Sequence, residues 1–132
     1  MKVQRAVIDT NVFIFAFFRD QENHTKAVNL LSELGTWIIP HIVVVELFWF
    51  SRGAGLGVKD ARDLILTFML DDKAEVVAHP IEDIIDSLLI EDPLRWEDEL
   101  ILLLAEREGV PVATFDDDLR RRSISRGVPV IP

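Results

Sequence analysis

Two short apolar runs, each closed by an aspartate, constrain this chain more than any other feature. Arg5-Ala6-Val7-Ile8 ends on Asp9, and Val112-Ala113-Thr114-Phe115 ends on Asp116. Neither run alternates apolar with polar residues. A strand of that kind needs cover on both faces, which a parallel sheet between helices provides. The stretches between them read as helices. Residues 22–34 place Ala27, Val28, Leu30, Leu31 and Leu34 on one face, with Asn23 as a candidate N-cap and Gly35 as the stop. Residues 58–70 turn Ala61, Leu64, Ile65, Phe68 and Met69 inward. Pro80 opens a helix whose stripe is Ile81, Ile84, Ile85, Leu88 and Leu89. After a break at Asp92-Pro93, residues 96–107 form another helix, which Gly109 and Pro111 end, and 117–126 form the last. Further strands are expected at Trp37-Ile38-Ile39, stopped by Pro40, at Glu75 to Ala78 and at Val128 to Ile131. The alternation of strands and helices is that of an α/β protein.

At 132 residues the chain is expected to be one domain, residues 1–132, with a single sizeable core. Its longest apolar runs, Val12 to Phe18 and Ile42 to Phe50, fall well short of the roughly 18 residues of a membrane span. The N-terminal residues lack a signal-peptide pattern, and there are no cysteines, which excludes disulfides and thiolate metal sites. A cytoplasmic setting and no membrane partner are expected. The net charge of −9 opposes non-specific binding to nucleic acid, because phosphate affinity comes largely from Lys and Arg. The cations are unevenly spread, however. Arg120, Arg121, Arg122 and Arg126 follow Asp116 closely and are candidate nucleic-acid contacts, a solvated helix face being the neutral alternative.

Four acids stand where helices begin or turn: Asp9, Glu46, Asp98 and Asp116. In open parallel sheets, ligands bind outside the C-terminal ends of the strands, at a switch point in strand order. Asp9 and Asp116 both lie at such ends and face one another if their strands are neighbours. Asp98 begins the helix that runs back into the second of these strands, so it starts at the same edge. Glu46, the one charge between Ile42 and Phe50, must reach the site from its own element. Two carboxylates about 5 Å apart repel by roughly 3 kcal/mol at an effective dielectric near 20. A group of them requires protons or a cation. All-oxygen ligands select Mg²⁺ or Mn²⁺ rather than Zn²⁺. Such ions lower the pKa of water and clamp phosphoryl oxygens, which implies phosphodiester hydrolysis.

The pattern resembles the PIN domain, a nuclease family that includes the toxins of VapBC toxin–antitoxin pairs. The matching pieces are Val7-Ile8-Asp9-Thr10-Asn11, Glu46 within Ile42 to Leu47, Trp96-Glu97-Asp98-Glu99-Leu100-Ile101, and Thr114-Phe115-Asp116-Asp117-Asp118-Leu119. They run in order along the whole chain. The resemblance implies a three-layer α/β/α sandwich around a five-stranded parallel sheet of order 3-2-1-4-5. It favours a helix over 41–52, although Ile42-Val43-Val44-Val45 has strand propensity. It implies Mg²⁺- or Mn²⁺-dependent cleavage of single-stranded RNA by an endoribonuclease, and an antitoxin as a possible partner. Asp9, Glu46, Asp98 and Asp116 would hold the metal, Asp118 matches a further acid of some members, and Thr10, Asn11 and Thr114 match supporting polar positions. Asp117 is read as a surface residue.

Other residues are assigned structural roles. His24, His41 and His79 are isolated from one another, and Trp96 is read as packing rather than as a base-stacking platform. Phe13, Phe15 and Phe17 alternate, so on a helix some must reach the surface; with Phe18, Phe48, Trp49 and Phe50 they suggest a homodimer or antitoxin surface. The alternative function is a PIN-like binding or scaffold module without turnover. A phosphatase would want a second Asp two residues after Asp9, where Asn11 stands. A receiver domain would want paired acids at the first strand and a Lys after a later one, and neither arrangement is found.

Overall fold

The computed structural model describes residues 4–132. Five strands, β1 (Arg5–Ile8), β2 (Thr36–Pro40), β3 (Ala74–Val77), β4 (Val112–Ala113) and β5 (Val130–Ile131), form one parallel sheet of order β3-β2-β1-β4-β5. Between them lie α1 (Thr10–Phe17), α2 (His24–Glu33), α3 (His41–Gly53), α4 (Val58–Met69), α5 (Ile81–Ser87), α6 (Trp96–Glu108) and α7 (Asp117–Ser125), with a 3-10 turn at Pro93–Arg95. This is the α/β order that the resemblance implies. Ala6, Val7 and Ile8 are consecutive in β1 and all fully buried, so both faces of the sheet are covered.

The core continues from β1 through Ile38 of β2 and Val112 and Ala113 of β4. Phe13 of α1 is fully buried, its ring 4.6 Å from that of Phe68 and 6.0 Å edge-on from that of Trp37. In α6, Leu100, Ile101, Leu102, Leu104 and Ala105 are all buried, which marks it as a central helix rather than a one-sided surface one.

Burial decides the form of residues 41–53. Val43, Leu47 and Ser51 recur every four residues on the buried side of α3, and Pro40 precedes it with φ −62° and ψ 144°. Tertiary burial of that stripe outweighs the strand preference of the β-branched run. Gly35, read as a helix stop, also serves a close approach: a Cβ there would lie 3.0 Å from the Gln4 carbonyl oxygen. Gly109 ends α6 in the left-handed region at φ +65°. β4 stops at Ala113, two residues earlier than its apolar run suggests, because Thr114 and Phe115 turn their polar groups to the site.

The helix after Pro80 carries its stripe as expected, but the stripe faces outward. Ile81, Ile85, Leu88 and Leu89 are each more than half exposed. The inner face of α5 is polar instead. Buried Asp83 accepts from Arg107 Nε at 3.1 Å and from its Nη2 at 2.6 Å, and Ser87 Oγ accepts from Trp96 Nε1 at 2.7 Å.

Phe13→Ala should cost about 3–5 kcal/mol in urea denaturation, since a large core ring leaves a cavity. Ile85→Ala, on the outward stripe, should change stability by less than about 0.5 kcal/mol.

Candidate active site

The sheet register builds the site from its centre. Val7 pairs with Val112 and Ile8 with Ala113, and Asp9 N donates to Ala113 O at 2.9 Å. Asp9 and Thr114 therefore emerge side by side at the C-terminal edge, between β1 and β4, where the strand order reverses. Asp9 caps α1, its Oδ1 accepting from Thr10 N at 2.8 Å. Its Oδ2 accepts from Thr114 Oγ1 at 2.7 Å. Thr114 Oγ1 also accepts from Asp116 N at 3.0 Å and from Asn11 Nδ2 at 3.4 Å, while Phe115 N donates to Asn11 Oδ1 at 3.2 Å. Asp116 in turn caps α7, accepting from Asp118 N at 2.9 Å.

Glu46 arrives from the second turn of α3. The length of its side chain lets it accept from Thr10 Oγ1 at 3.0 Å. Asp98 sits in the first turn of α6, at the same edge. Asp9, Glu46, Asp98 and Asp116 all line one cavity of about 250 Å³, with Thr10, Asn11, Ile14 and Phe50. All four acids that the sequence marks, and Thr10 and Asn11 beside them, thus meet in one place. Thr114 is fully buried beneath them.

Electrostatics at this edge is unfavourable to charge. Burial pushes Asp9 up to about 6, against the opposing hydrogen bond from Thr114, and Asp98 and Asp116 add to the rise. Burial, then the adjacent Glu97 carboxyl, push Glu46 up to about 9. Asp98 is raised by burial and by Asp116, with Arg122 and Arg95 opposing. Among the described residues, no three Asp, Glu or His side chains are close enough together to hold an ion as they stand. The donors are nevertheless all oxygen, which suits a hard divalent cation, and such a cation would offset their mutual repulsion.

Other candidates are drawn elsewhere. Asp118 is engaged by Arg95 and, at 3.4 Å, by Arg121, and does not line the cavity. Arg120 donates to the carbonyls of Pro132 and Thr114. Arg122 and Arg126 pair with Glu99, and Arg126 also with Glu106. Of the four arginines, Arg121 alone has a largely exposed side chain. Asp117 is exposed, as read. His24 Nδ1 meets the Phe15 carbonyl at 2.8 Å, and His79 and His41 stand away from the cavity. Glu97 is the residue that the sequence reading passed over. Three consecutive acids open α6, and they go three ways: Glu97 beside Glu46, Asp98 to the cavity, Glu99 to the arginines. Only the 100° step of a helix separates them, so the motif by itself did not say which faced inward.

An open parallel sheet with four carboxylates gathered at its switch point defines an acidic α/β site. The PIN domain profile matches residues 6–124, and the chain belongs to the PIN domain family. Its fold is similar to that of Mycobacterium tuberculosis VapC20, described as a toxin that cleaves the sarcin-ricin loop (TM-score 0.74, 15% identity, 89% of this chain and 94% of that one). It is also similar to a chain of Rickettsia felis VapBC2 bound to promoter DNA (TM-score 0.64, 16% identity, 97% and 98%) and to one of a Klebsiella pneumoniae toxin–antitoxin complex (0.61, 18%, 96% and 96%). A sequence search of curated proteins returned no significant match.

The raised acid at position 46 has a consequence for stability. A carboxyl whose folded pKa exceeds its ordinary value is one that the folded state prefers protonated. Its contribution is most favourable below 4.5 and declines as pH rises through the interval up to about 9. Glu46→Gln keeps the acceptor for Thr10 and removes that decline. In chelator, it should match wild type near pH 4 and exceed it by roughly 1–2 kcal/mol at pH 8, after discount for partial exposure, in denaturant titrations.

Proposed function

We propose that this chain is a metal-dependent endoribonuclease of the VapC type, cleaving single-stranded RNA as the toxin of a toxin–antitoxin pair. We take it to work as a single PIN-like domain over residues 1–132 in a cytoplasmic setting. The observation that carries the reading is the convergence of Asp9, Glu46, Asp98 and Asp116 on one cavity at the switch point of the sheet. These four would hold Mg²⁺ or Mn²⁺. Bound there, the ion supplies Lewis acidity toward a phosphoryl oxygen and a lowered pKa for water.

The chain's own residues supply the rest. Thr114 and Thr10 fix the rotamers of Asp9 and Glu46 through their hydroxyls, and Asn11 braces the turn after β4. Without a bound cation, burial and the adjacent Glu97 favour the protonated form of Glu46, so an ion held there would displace that proton. Ile14 and Phe50 make that wall apolar and strengthen the charges facing it. No Ser–His–Asp arrangement lines the cavity, so a side-chain nucleophile has no place in this reading.

Arg121 is the arginine of its cluster best placed to meet a phosphate, by its exposure. Two apolar faces fit protein partners. One is the outer side of α3, with Val45, Trp49 and Phe50, and Trp49 is 67% exposed; the other is the outward stripe of α5. We assign them to a second copy of the chain and to an antitoxin. Among the described residues, no helix is long and apolar enough to cross a membrane.

Purified protein should cleave labelled single-stranded RNA with Mn²⁺ or Mg²⁺ and not with chelator. Asp9→Asn and Asp116→Asn should each lose at least about 100-fold in rate while remaining folded. Cleavage that survives both substitutions contradicts the assignment; a folded wild type inert on several RNAs, with or without metal, favours the binding-module alternative. In light scattering the pure chain should run as a dimer, and a monomer at all concentrations refutes that assignment.

A further inference from the structure

Arg122 lies one residue past exposed Arg121 but turns inward. Its Nη2 donates to Glu99 Oε1 at 2.9 Å. Its Nη1 is buried, has no hydrogen-bond partner among the described residues, and stands 3.6 Å from Asp98 Oδ2. Glu99 is fixed from the other side by Arg126 Nη1, at 2.6 and 2.5 Å, and Arg126 is tied on to Glu106. We propose that Arg122 is a positioning residue for the metal centre: anchored through Glu99, its second arm orients the Asp98 carboxylate toward Asp116. The proposal rests on the nuclease reading above.

Three observations support it. A buried N–H without a partner is costly, and a small shift of Asp98 is enough to satisfy this one. The planar guanidinium can hold two carboxylates at a fixed angle, which a lysine cannot. The contact also joins two elements that each carry a candidate ligand. Asp98 and Glu99 open α6, whereas Arg122 lies in α7, which Asp116 caps at its start and Arg126 at its end. At the same end of α6, Arg95, just before the helix, pairs with Asp118 in the first turn of α7. The first turn of α6 is thus laced to both ends of α7 by ion pairs, and that lacing sets the gap between Asp98 and Asp116.

Charge alone predicts the opposite effect, which makes the proposal decidable. Arg122 and Arg126 with Glu99 and Glu106 form a neutral unit, so their net field on an ion in the cavity is small. Removing Arg122 leaves one more negative charge near the site. If the arginine were only a competing cation, its loss would tighten metal binding; if it positions Asp98, its loss weakens it.

The test is Mn²⁺ affinity, read by the free-ion electron paramagnetic resonance signal, on the full chain without RNA. Arg122→Met should weaken binding by about 10-fold or more, the usual scale for losing a group that orients a ligand. Arg122→Lys should recover part of the loss, and Glu99→Gln, which frees the anchor, should weaken binding as well. With Arg122→Met the effect of Glu99→Gln should largely vanish, since the two act through one contact. Cleavage should fall in kcat at limiting Mn²⁺ and return as Mn²⁺ is raised, with KM for RNA unchanged. If Arg122→Met does not fold, Arg122→Lys and Glu99→Gln carry the test. Unchanged or tighter Mn²⁺ binding in the folded variants overturns the proposal and leaves the nuclease reading standing. So does a loss of RNA affinity in chelator with Mn²⁺ binding intact, which makes Arg122 an RNA contact. A wild type that binds no Mn²⁺ sinks the nuclease reading itself, and this proposal with it.

Discussion

The hydrogen bond from Thr114 to Asp9 is the point on which the site depends. It spans the junction of β1 and β4, where the strand order reverses, and it is fully buried. Through it one carboxylate is placed and its partner segment is turned, because the same hydroxyl receives the backbone N–H of Asp116. Asp9 and Asp116 are then also the caps of α1 and α7, so each acid stabilises a helix by accepting from its first N–H groups. Fold and site use the same atoms.

That economy has an electrostatic cost. Caps and buried edges hold the acids close, and burial raises Asp9, Glu46 and Asp98 together. The protein answers in two ways. Toward the cavity, Asp98 alone of the four has an arginine within ion-pair distance among the described residues, Arg122 at 3.6 Å, which leaves most of the acidic charge to be met by a cation from solution. Away from the cavity, several acids are paired: Asp118 with Arg95, Glu99 with Arg122 and Arg126, Asp83 with Arg107. In a chain of net charge −9, Arg95, Arg122 and Arg126 stand behind the site, paired with acids, rather than on an open basic face.

Much of this was legible in the sequence, for reasons that differ by residue. Asp9 and Asp116 could be placed because a short unalternating strand ends at a known edge of a parallel sheet. Asp98 followed from the direction of the helix that feeds β4. Glu46 did not follow from geometry; its segment reads as strand by propensity, and mainly the family resemblance favoured a helix after Pro40. The direction of α5 was beyond reach as well. Periodicity says which residues share a face, not where that face points, and its inner face is held by Asp83 and Ser87 rather than by the stripe. The arginines carried a signal that was passed over. Arg122 and Arg126 are one helical turn apart, as Glu99 and Glu106 are two, so the four can meet across two helices. A count of nearby cations does not see that spacing.

The central claim is that these acids together hold one or more divalent ions. The direct measurement is anomalous diffraction from crystals grown with Mn²⁺. The account predicts a peak in the cavity between β1 and β4, with carboxylate oxygens of Asp9 and Asp116 at about 2.0–2.3 Å from it. A well-ordered cavity with no peak at saturating Mn²⁺, or a peak that none of the four acids touches, would contradict it.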